Sequence, residues 1–214
     1  LLLLPGVHRV ASTLTINSPM VMQPGAIIKP DSGITVTLAG GVSASPVQRI
    51  ADHSAGGLVV PKAVPYYHPG WWGPIGTSDD SATWLAMKAA IEASVVTVWS
   101  EANFGQKVMA PVGVNRILGV ELKWCDIYAD KGSTCFCPPN GTTSGTVLTL
   151  GDWASIRGGY FRTSETTQAV TLLWQKGYRA HSDSTFIEVS ATNATGLKAG
   201  QNSGTQSPVI NNLF

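Results

Sequence analysis

The chain has 214 residues with 14 Lys and Arg against 13 Asp and Glu, so it carries no electrostatic bias toward nucleic acid or an anionic membrane. Hydrophobic residues make up 43%, enough to bury a sizeable core, whereas charged residues make up only 13%, well under the roughly one quarter usual in globular domains. With abundant Gly, Ser, Thr and Asn, this balance points to an extended β-protein rich in turns, part of whose surface is covered by other copies.

Leu1 to Leu4, followed by Pro5-Gly6, are too short for a signal core or a membrane span, which suggests a truncated or processed start and no membrane insertion. From Val10 to Ala44, short apolar runs recur between turns: Thr13 to Ile16, Met20 to Met22, Ala26 to Ile28 and Ile34 to Leu38, divided by Pro19, Pro24-Gly25 and Asp31-Ser32-Gly33. They read as a small β module; a generic β-meander is the plain alternative. Val47 to Tyr67 contains Ala55-Gly56-Gly57 and prolines at 61 and 65, which predicts an extended connector that wraps or crosses between subunits. His53 within it and His68 just after it read as surface polar groups, not metal ligands.

Pro69, Gly70, Gly73, Pro74 and Gly76 then force a shaped loop. The best helix follows. Asp79 or Asp80 can accept the free N–H groups of a first turn, and Trp84, Met87, Lys88 and Ile91 recur at spacings of three and four among alanines. Val95 to Trp99 is a β-branched run, and Glu101 to Gln106 reads as a loop. Leu118, Val120, Leu122 and Trp124 alternate with Gly119, Glu121, Lys123 and Cys125, the two-residue period of a strand with one buried face. Short strands around Val147 to Leu150, Ala154 to Arg157, Val170 to Trp174, Ile187 to Ala191 and Val209-Ile210 repeat the theme without a strict repeat. The last pair stands in mid-pattern, which suggests a piece of a longer protein. Cys125, Cys135 and Cys137 read as free thiols of a protein assembled in a reducing cytoplasm, with a Cys125–Cys135 disulfide as the alternative.

Trp72-Gly73-Pro74-Ile75-Gly76 followed by Asp79-Asp80-Ser81-Ala82 and the Ala-rich helix resembles the opening motif of pectate-lyase-like right-handed β-helix proteins, in particular phage tailspikes and capsule depolymerases. The chain departs from that motif in lacking its Gly-Asp-Gly triplet. Val108 to Val114 is similar to the strand-Pro-x-Gly turn of the first coil, and Pro24 to Thr37 resembles the collar modules of tailspikes. The resemblance implies a mainly β fold: a small N-terminal β collar over residues 1–46, a connector and opening loop over 47–78, and a capping helix with the first rungs of a right-handed parallel β-helix over 79–214. A β-sandwich is the structural alternative; the helix placed ahead of the strands, and Asn193, Asn202, Asn211 and Asn212 as candidates for stacked side-chain ladders, favour the coil.

Glycoside hydrolysis needs two carboxyl groups about 5 or about 6.5–9.5 Å apart, and outward acids on neighbouring rungs could supply them. Glu121, Asp126, Asp130, Asp152, Asp183 and Glu188 are the candidates, and spacing selects no pair. Trp71, Trp72, Trp99, Trp153, Tyr160, Phe161 and Tyr178 are more aromatics than a rung core requires. Trp71 and Trp72 are assigned to a core or a subunit interface, while Trp153 and Tyr160, in Gly-rich turns, are the candidate carbohydrate contacts. No phosphate loop, Ser-His-Asp order or zinc spacing calls for a cofactor or metal. The expectation is a homotrimeric phage virion protein, a tailspike or tail fibre joined to other tail or baseplate proteins, that recognises bacterial surface polysaccharide and assembles in the host cytoplasm; depolymerase activity of the full-length protein stays open. The alternatives are a secreted monomeric bacterial polysaccharide lyase or glycoside hydrolase, and a non-enzymatic surface adhesin.

Overall fold

The computed structural model describes residues 1–94, 106–164, 169–177, 180–199 and 209–211. Its strands pair in parallel between successive turns of the chain, not between neighbours in sequence, and together they make a β-solenoid of about 8 turns with one short helix. Each full turn contributes three short strands to three separate ladders.

Strands β1 (Leu2–Leu3), β2 (Gly6–Val10) and β3 (Leu14–Ile16) form the first turn, and β4 (Met20–Met22), β5 (Ala26–Pro30) and β6 (Thr35–Leu38) the second. The third comprises β7 (Val42–Ser43), a single bridge from Ala51 to Ile28, and β8 (Leu58–Pro61). Every pairing among them is parallel, so the N-terminal region is coiled and is not a meander. The segment expected as a free connector builds the third coil, because β8 pairs with β6 across the boundary expected at residue 46. Its apolar Leu58-Val59-Val60 run outweighs the flanking prolines: Val59 and Val60 are buried, and prolines at strand ends remove no ladder hydrogen bond.

In the fourth turn, the loop and α1 (Ser81–Ser94) replace the usual strands. The loop nonetheless carries the stack onward. Ile50 and Ala51 donate their N–H groups to the Trp71 carbonyl at 2.8 and 3.0 Å, and Tyr67 bridges to Val108 in the next coil. Helix α1 buries Trp84, Met87, Ala90 and Ile91 and packs against both β8 and β11 (Val120–Leu122). It thus lies between two sets of coils and does not cover an N-terminal end. Asp79 Oδ1 accepts the Ser81 N–H at 2.8 Å, and the Asp80 carbonyl accepts from Trp84 at 3.2 Å, as expected of a helix start.

The fifth turn contains β9 (Gln106–Met109), β10 (Gly113–Arg116) and β11, and the sixth contains β12 (Cys125–Tyr128), β13 (Thr134–Cys137) and β14 (Ser144–Leu150). The seventh has β15 (Ser155–Arg157), β16 (Tyr160–Arg162) and β17 (Ala169–Gln175); the eighth has β18 (His181–Asp183), β19 (Phe186–Glu188) and β20 (Thr195–Ala199), after which β21 (Val209–Asn211) pairs with β18. The ladders run β9-β12-β15-β18-β21, β10-β13-β16-β19 and β11-β14-β17-β20. Inward columns such as Val108, Ile127, Ile156 and Asn115, Phe136, Phe161 fill the interior, with the Phe136 and Phe161 rings stacked at 4.9 Å and Trp84 edge-on to Phe136 at 5.7 Å.

Alternation from Leu118 holds for Val120 and Leu122, which are buried, but fails at Trp124. There the backbone turns left-handed (φ 59°), so the side chain leaves the inward column. Nor do the asparagines form a ladder among the described residues: Asn193 is an exposed turn residue and Asn211 pairs with Asp183, while Asn202 and Asn212 lie outside the described residues. Val95 to Trp99, the loop from Glu101 and Tyr178 also lie outside them. All three cysteines are free thiols.

Trp71 and Trp72 are only 2% and 4% exposed within a single chain. They form an aromatic knot with Tyr67, which stacks on Trp72 at 6.1 Å, and with His68, whose ring lies 5.1 Å from Trp71. Their burial therefore requires no neighbouring subunit, and of the two places expected from the sequence, core or subunit interface, they occupy the core. His53 belongs to the same knot and is not a surface group: its Nε2 accepts the Val59 N–H at 2.9 Å, and burial pushes its pKa down to about 4.

Candidate functional site

Parallel stacking turns residues remote in sequence into columns. On the outer side of the β9-β12-β15-β18 ladder, register aligns Lys107, Asp126, Ser155 and His181 in one column and Met109, Tyr128, Arg157 and Asp183 in the next. These side chains face outward because Val108, Ile127, Ile156 and Ser182 between them point in.

Specific contacts order the face. Ser155 Oγ donates to Asp126 Oδ1 at 2.5 Å, which fixes that carboxylate across one coil spacing. The Arg157 guanidinium lies 5.8 Å from the centre of the Tyr128 ring, a cation–π contact between adjacent coils. Tyr66, brought alongside by the Tyr67–Val108 bridge, meets Tyr128 edge-on with ring centroids 6.1 Å apart. Ser184 Oγ donates to Asp183 Oδ1 at 3.2 Å. Tyr66, Tyr128, Arg157 and Asp183 thus make a continuous strip from aromatic to charged.

Two tryptophans stand at the rim of this face. Trp124 and Trp153 occupy equivalent corner positions, each two residues before a register-matched pair, Asp126 and Ser155. Both are half-buried and left-handed, with φ of 59° and 55°, and the Trp124 N–H donates to the Asp152 carbonyl at 3.0 Å. For a bulky residue this backbone conformation is costly, and such outliers cluster at functional positions.

The two carbohydrate contacts expected from the sequence do not come together. Trp153 borders this face, whereas Tyr160 stands on β16 of the neighbouring ladder with its ring 5.2 Å from Phe186. The six candidate acids are dispersed as well. Asp126 and Asp183 share the face; Glu121 on β11 is ion-paired with Lys123 at 3.4 Å and Lys176 at 3.3 Å; Glu188 stands on β19 opposite Arg162. Asp130 accepts the Gly132 N–H at 3.0 Å, and hydrogen bonds from residues 132 and 133 hold its carboxyl below its ordinary pKa. Asp152 lies in the corner beside Trp153. Asp126 and Asp183 are two coils apart and offset by two residues, so their Cα atoms are roughly 12 Å apart at about 4.8 Å per coil and 3.3 Å per residue.

Trp124, Tyr66, Tyr128, Ser155, Arg157 and His181 are the members that sequence reasoning missed. No local pattern marks them; only the register steps, 29 from Asp126 to Ser155 and 26 from Ser155 to His181, bring them together. Among the described residues no group of three His, Cys, Asp or Glu side chains is placed to hold a metal ion, and no helix is long and apolar enough to cross a membrane. Comparison with family models, with curated proteins and with solved structures finds no match to this chain.

Proposed function

We propose that the chain is a polysaccharide-binding β-solenoid of the tailspike type, a phage virion component that attaches to bacterial surface glycans through the outer face of β9, β12, β15 and β18. The observation carrying this reading is the strip of Tyr66, Tyr128, Arg157 and Asp183 beside Asp126, Ser155 and His181, rimmed by Trp124 and Trp153. Flat aromatic faces stack on sugar rings, while carboxylates and a guanidinium hydrogen-bond to hydroxyl and acidic substituents. A parallel solenoid suits an extended ligand, since outward positions recur at a regular spacing from coil to coil. The virion setting rests on the sequence resemblance around Trp72 to Ala82.

Calorimetric titration against a panel of purified capsular and O-antigen polysaccharides tests the reading. A glycan that binds should lose at least tenfold in affinity with Tyr128→Ala or Arg157→Ala, and should be unaffected by Lys198→Ala on another ladder. Binding that survives loss of both Tyr128 and Arg157 contradicts the proposal.

Homotrimeric assembly with other tail or baseplate proteins belongs to the same proposal, but burial of Trp71 and Trp72 within one chain removes its aromatic argument. That observation favours a second reading, a secreted monomeric solenoid that binds or cleaves polysaccharide. Mass photometry separates the two: a particle near 22.5 kDa is the monomer, and one about three times heavier is the trimer.

A further inference from the structure

Arg157 is exposed on the outer side of β15, with Tyr128 beside it on one neighbouring coil and Asp183 beside it on the other. A nearby carboxylate is the ordinary partner of such a cation: on the same molecule Arg9 pairs with Asp31 at 2.7 Å and Arg49 with Asp52 at 2.9 Å. Arg157 does otherwise. Its guanidinium carbon lies 5.8 Å from the centre of the Tyr128 ring, while Asp183 Oδ1 accepts the Ser184 hydroxyl at 3.2 Å. Lys107 repeats the arrangement in the neighbouring column. It is exposed, and Asp126 beside it accepts the Ser155 hydroxyl. Among the described residues neither Arg157 nor Lys107 forms an ion pair.

A guanidinium held against an aromatic ring keeps N–H donors for a planar acceptor, and it loses less freedom on binding one because the ring already restricts the side chain. A carboxylate is the acceptor of matching shape, able to take two parallel N–H bonds. Asp126 and Asp183 balance the two cations, so the face is not a basic patch and selects by the position of its charges. A hydroxyl of a neutral sugar takes one weaker bond from Arg157 and leaves its charge unmatched.

Resting on the glycan-binding reading of this face, we propose that its ligand is an acidic polysaccharide. A uronic acid carboxylate seats on Arg157, Lys107 meets a further carboxylate, and Arg157 is the residue that separates this ligand from a neutral glycan.

Calorimetry with the full chain compares capsular and O-antigen polysaccharides that contain uronic acids with neutral ones, and each acidic polymer with its own form after carboxyl reduction to primary alcohols. The polymers that bind should be acidic, and reduction should cost them roughly tenfold or more in affinity, the range of a charge-assisted hydrogen bond. Arg157→Gln should cost the native polymer a similar factor and the reduced polymer less than about threefold, the difference being the coupling between guanidinium and carboxylate. Arg157→Lys, which keeps the charge without the paired donors, should recover part of the loss, and Lys107→Gln should weaken the native polymer by a smaller factor. Preference for neutral polymers, Tyr128-dependent binding indifferent to carboxyl reduction, or an Arg157→Gln loss equal for both forms overturns the acidic assignment and leaves glycan binding at this face standing. Absence of binding by every polysaccharide, or binding that survives loss of both Tyr128 and Arg157, overturns the glycan-binding reading itself and this inference with it.

Discussion

Asp80 is the residue on which the junction between loop, helix and following coil depends, and its replacement tests that junction quantitatively. The side chain is 1% exposed, yet it accepts the Thr77 hydroxyl at 2.6 Å and the N–H groups of Thr77 at 2.9 Å, Arg116 at 3.0 Å and Gly76 at 3.2 Å. In Asp80→Ala the Gly76 N–H and the Thr77 hydroxyl can turn to water, but the N–H groups of Arg116 and Thr77 lose their partner near the buried helix start. At about 1–3 kcal/mol for each buried donor left unsatisfied, a loss of about 3–5 kcal/mol follows. Asp80→Asn should be almost as damaging, since its amide group must turn hydrogens toward N–H donors. The assay is urea unfolding followed by tryptophan fluorescence, with Asp79→Ala as the control. The Asp79 side chain accepts only the exposed Ser81 N–H, so its loss should be less than half as large. A loss below about 1 kcal/mol for Asp80→Ala, or equal losses at the two positions, would refute the assignment of Asp80 as the clamp.

Three further outcomes follow from burial, close approach and titration. Trp84→Ala should cost about 3–5 kcal/mol through the cavity left between α1 and Phe136, whereas Lys88→Ala, which removes a pair with Glu92 at 3.4 Å, should stay within about 0.5 kcal/mol; equal shifts in thermal melts would show that the helix adds little. Gly177→Ala should prevent normal folding, because a Cβ there would lie 1.9 Å from the Gly151 carbonyl carbon and 2.1 Å from the Asp152 nitrogen in the stacked corner above, while Gly132→Ala, where the nearest atom is 3.9 Å away, should be neutral in soluble yield and melting temperature. His53, held near pKa 4 by burial against an ordinary 6.5, leaves the unfolded chain binding more protons between those values. Stability from this group is therefore full above pH 6.5 and is lost as pH falls to 4, by about 2 kcal/mol once the ring's partial exposure is discounted; His53→Gln should flatten that part of the stability profile, and an unchanged slope would contradict the assignment.

What the sequence disclosed follows from the range of each interaction. Helix α1 was legible because its period and its Asp79-Asp80 start are local signals, and Val120 and Leu122 were legible because alternation acts within one strand. The continuity of the coils was not. Register steps of 20 from Gly6 to Ala26, 22 from Leu14 to Val36, 23 from Val36 to Val59 and 29 from Asp126 to Ser155 vary too much to leave a visible repeat. For the same reason the N-terminal coils looked like a separate module and the third coil like a connector. Asp80 looked like a simple cap because its strongest long-range partner, the Arg116 N–H, lies 36 residues away. Trp153 was singled out by its Gly-rich turn, but the residues beside it on the face are brought together by stacking alone. Trp71 and Trp72 were assigned to a core or an interface, and Tyr67, His53 and His68 complete a knot that needs no second chain.

The most direct test of the proposed function is chemical-shift mapping of the labelled protein during titration with an oligosaccharide cut from a bacterial surface polysaccharide that the protein binds. The account predicts shifts in the indole N–H signals of Trp124 and Trp153 and in the backbone amides of Asp126, Tyr128, Ser155, Arg157 and His181, with the buried indoles of Trp71, Trp72 and Trp84 unmoved. Shifts confined to the β10-β13-β16-β19 ladder around Tyr160, or to the first coil, would contradict it.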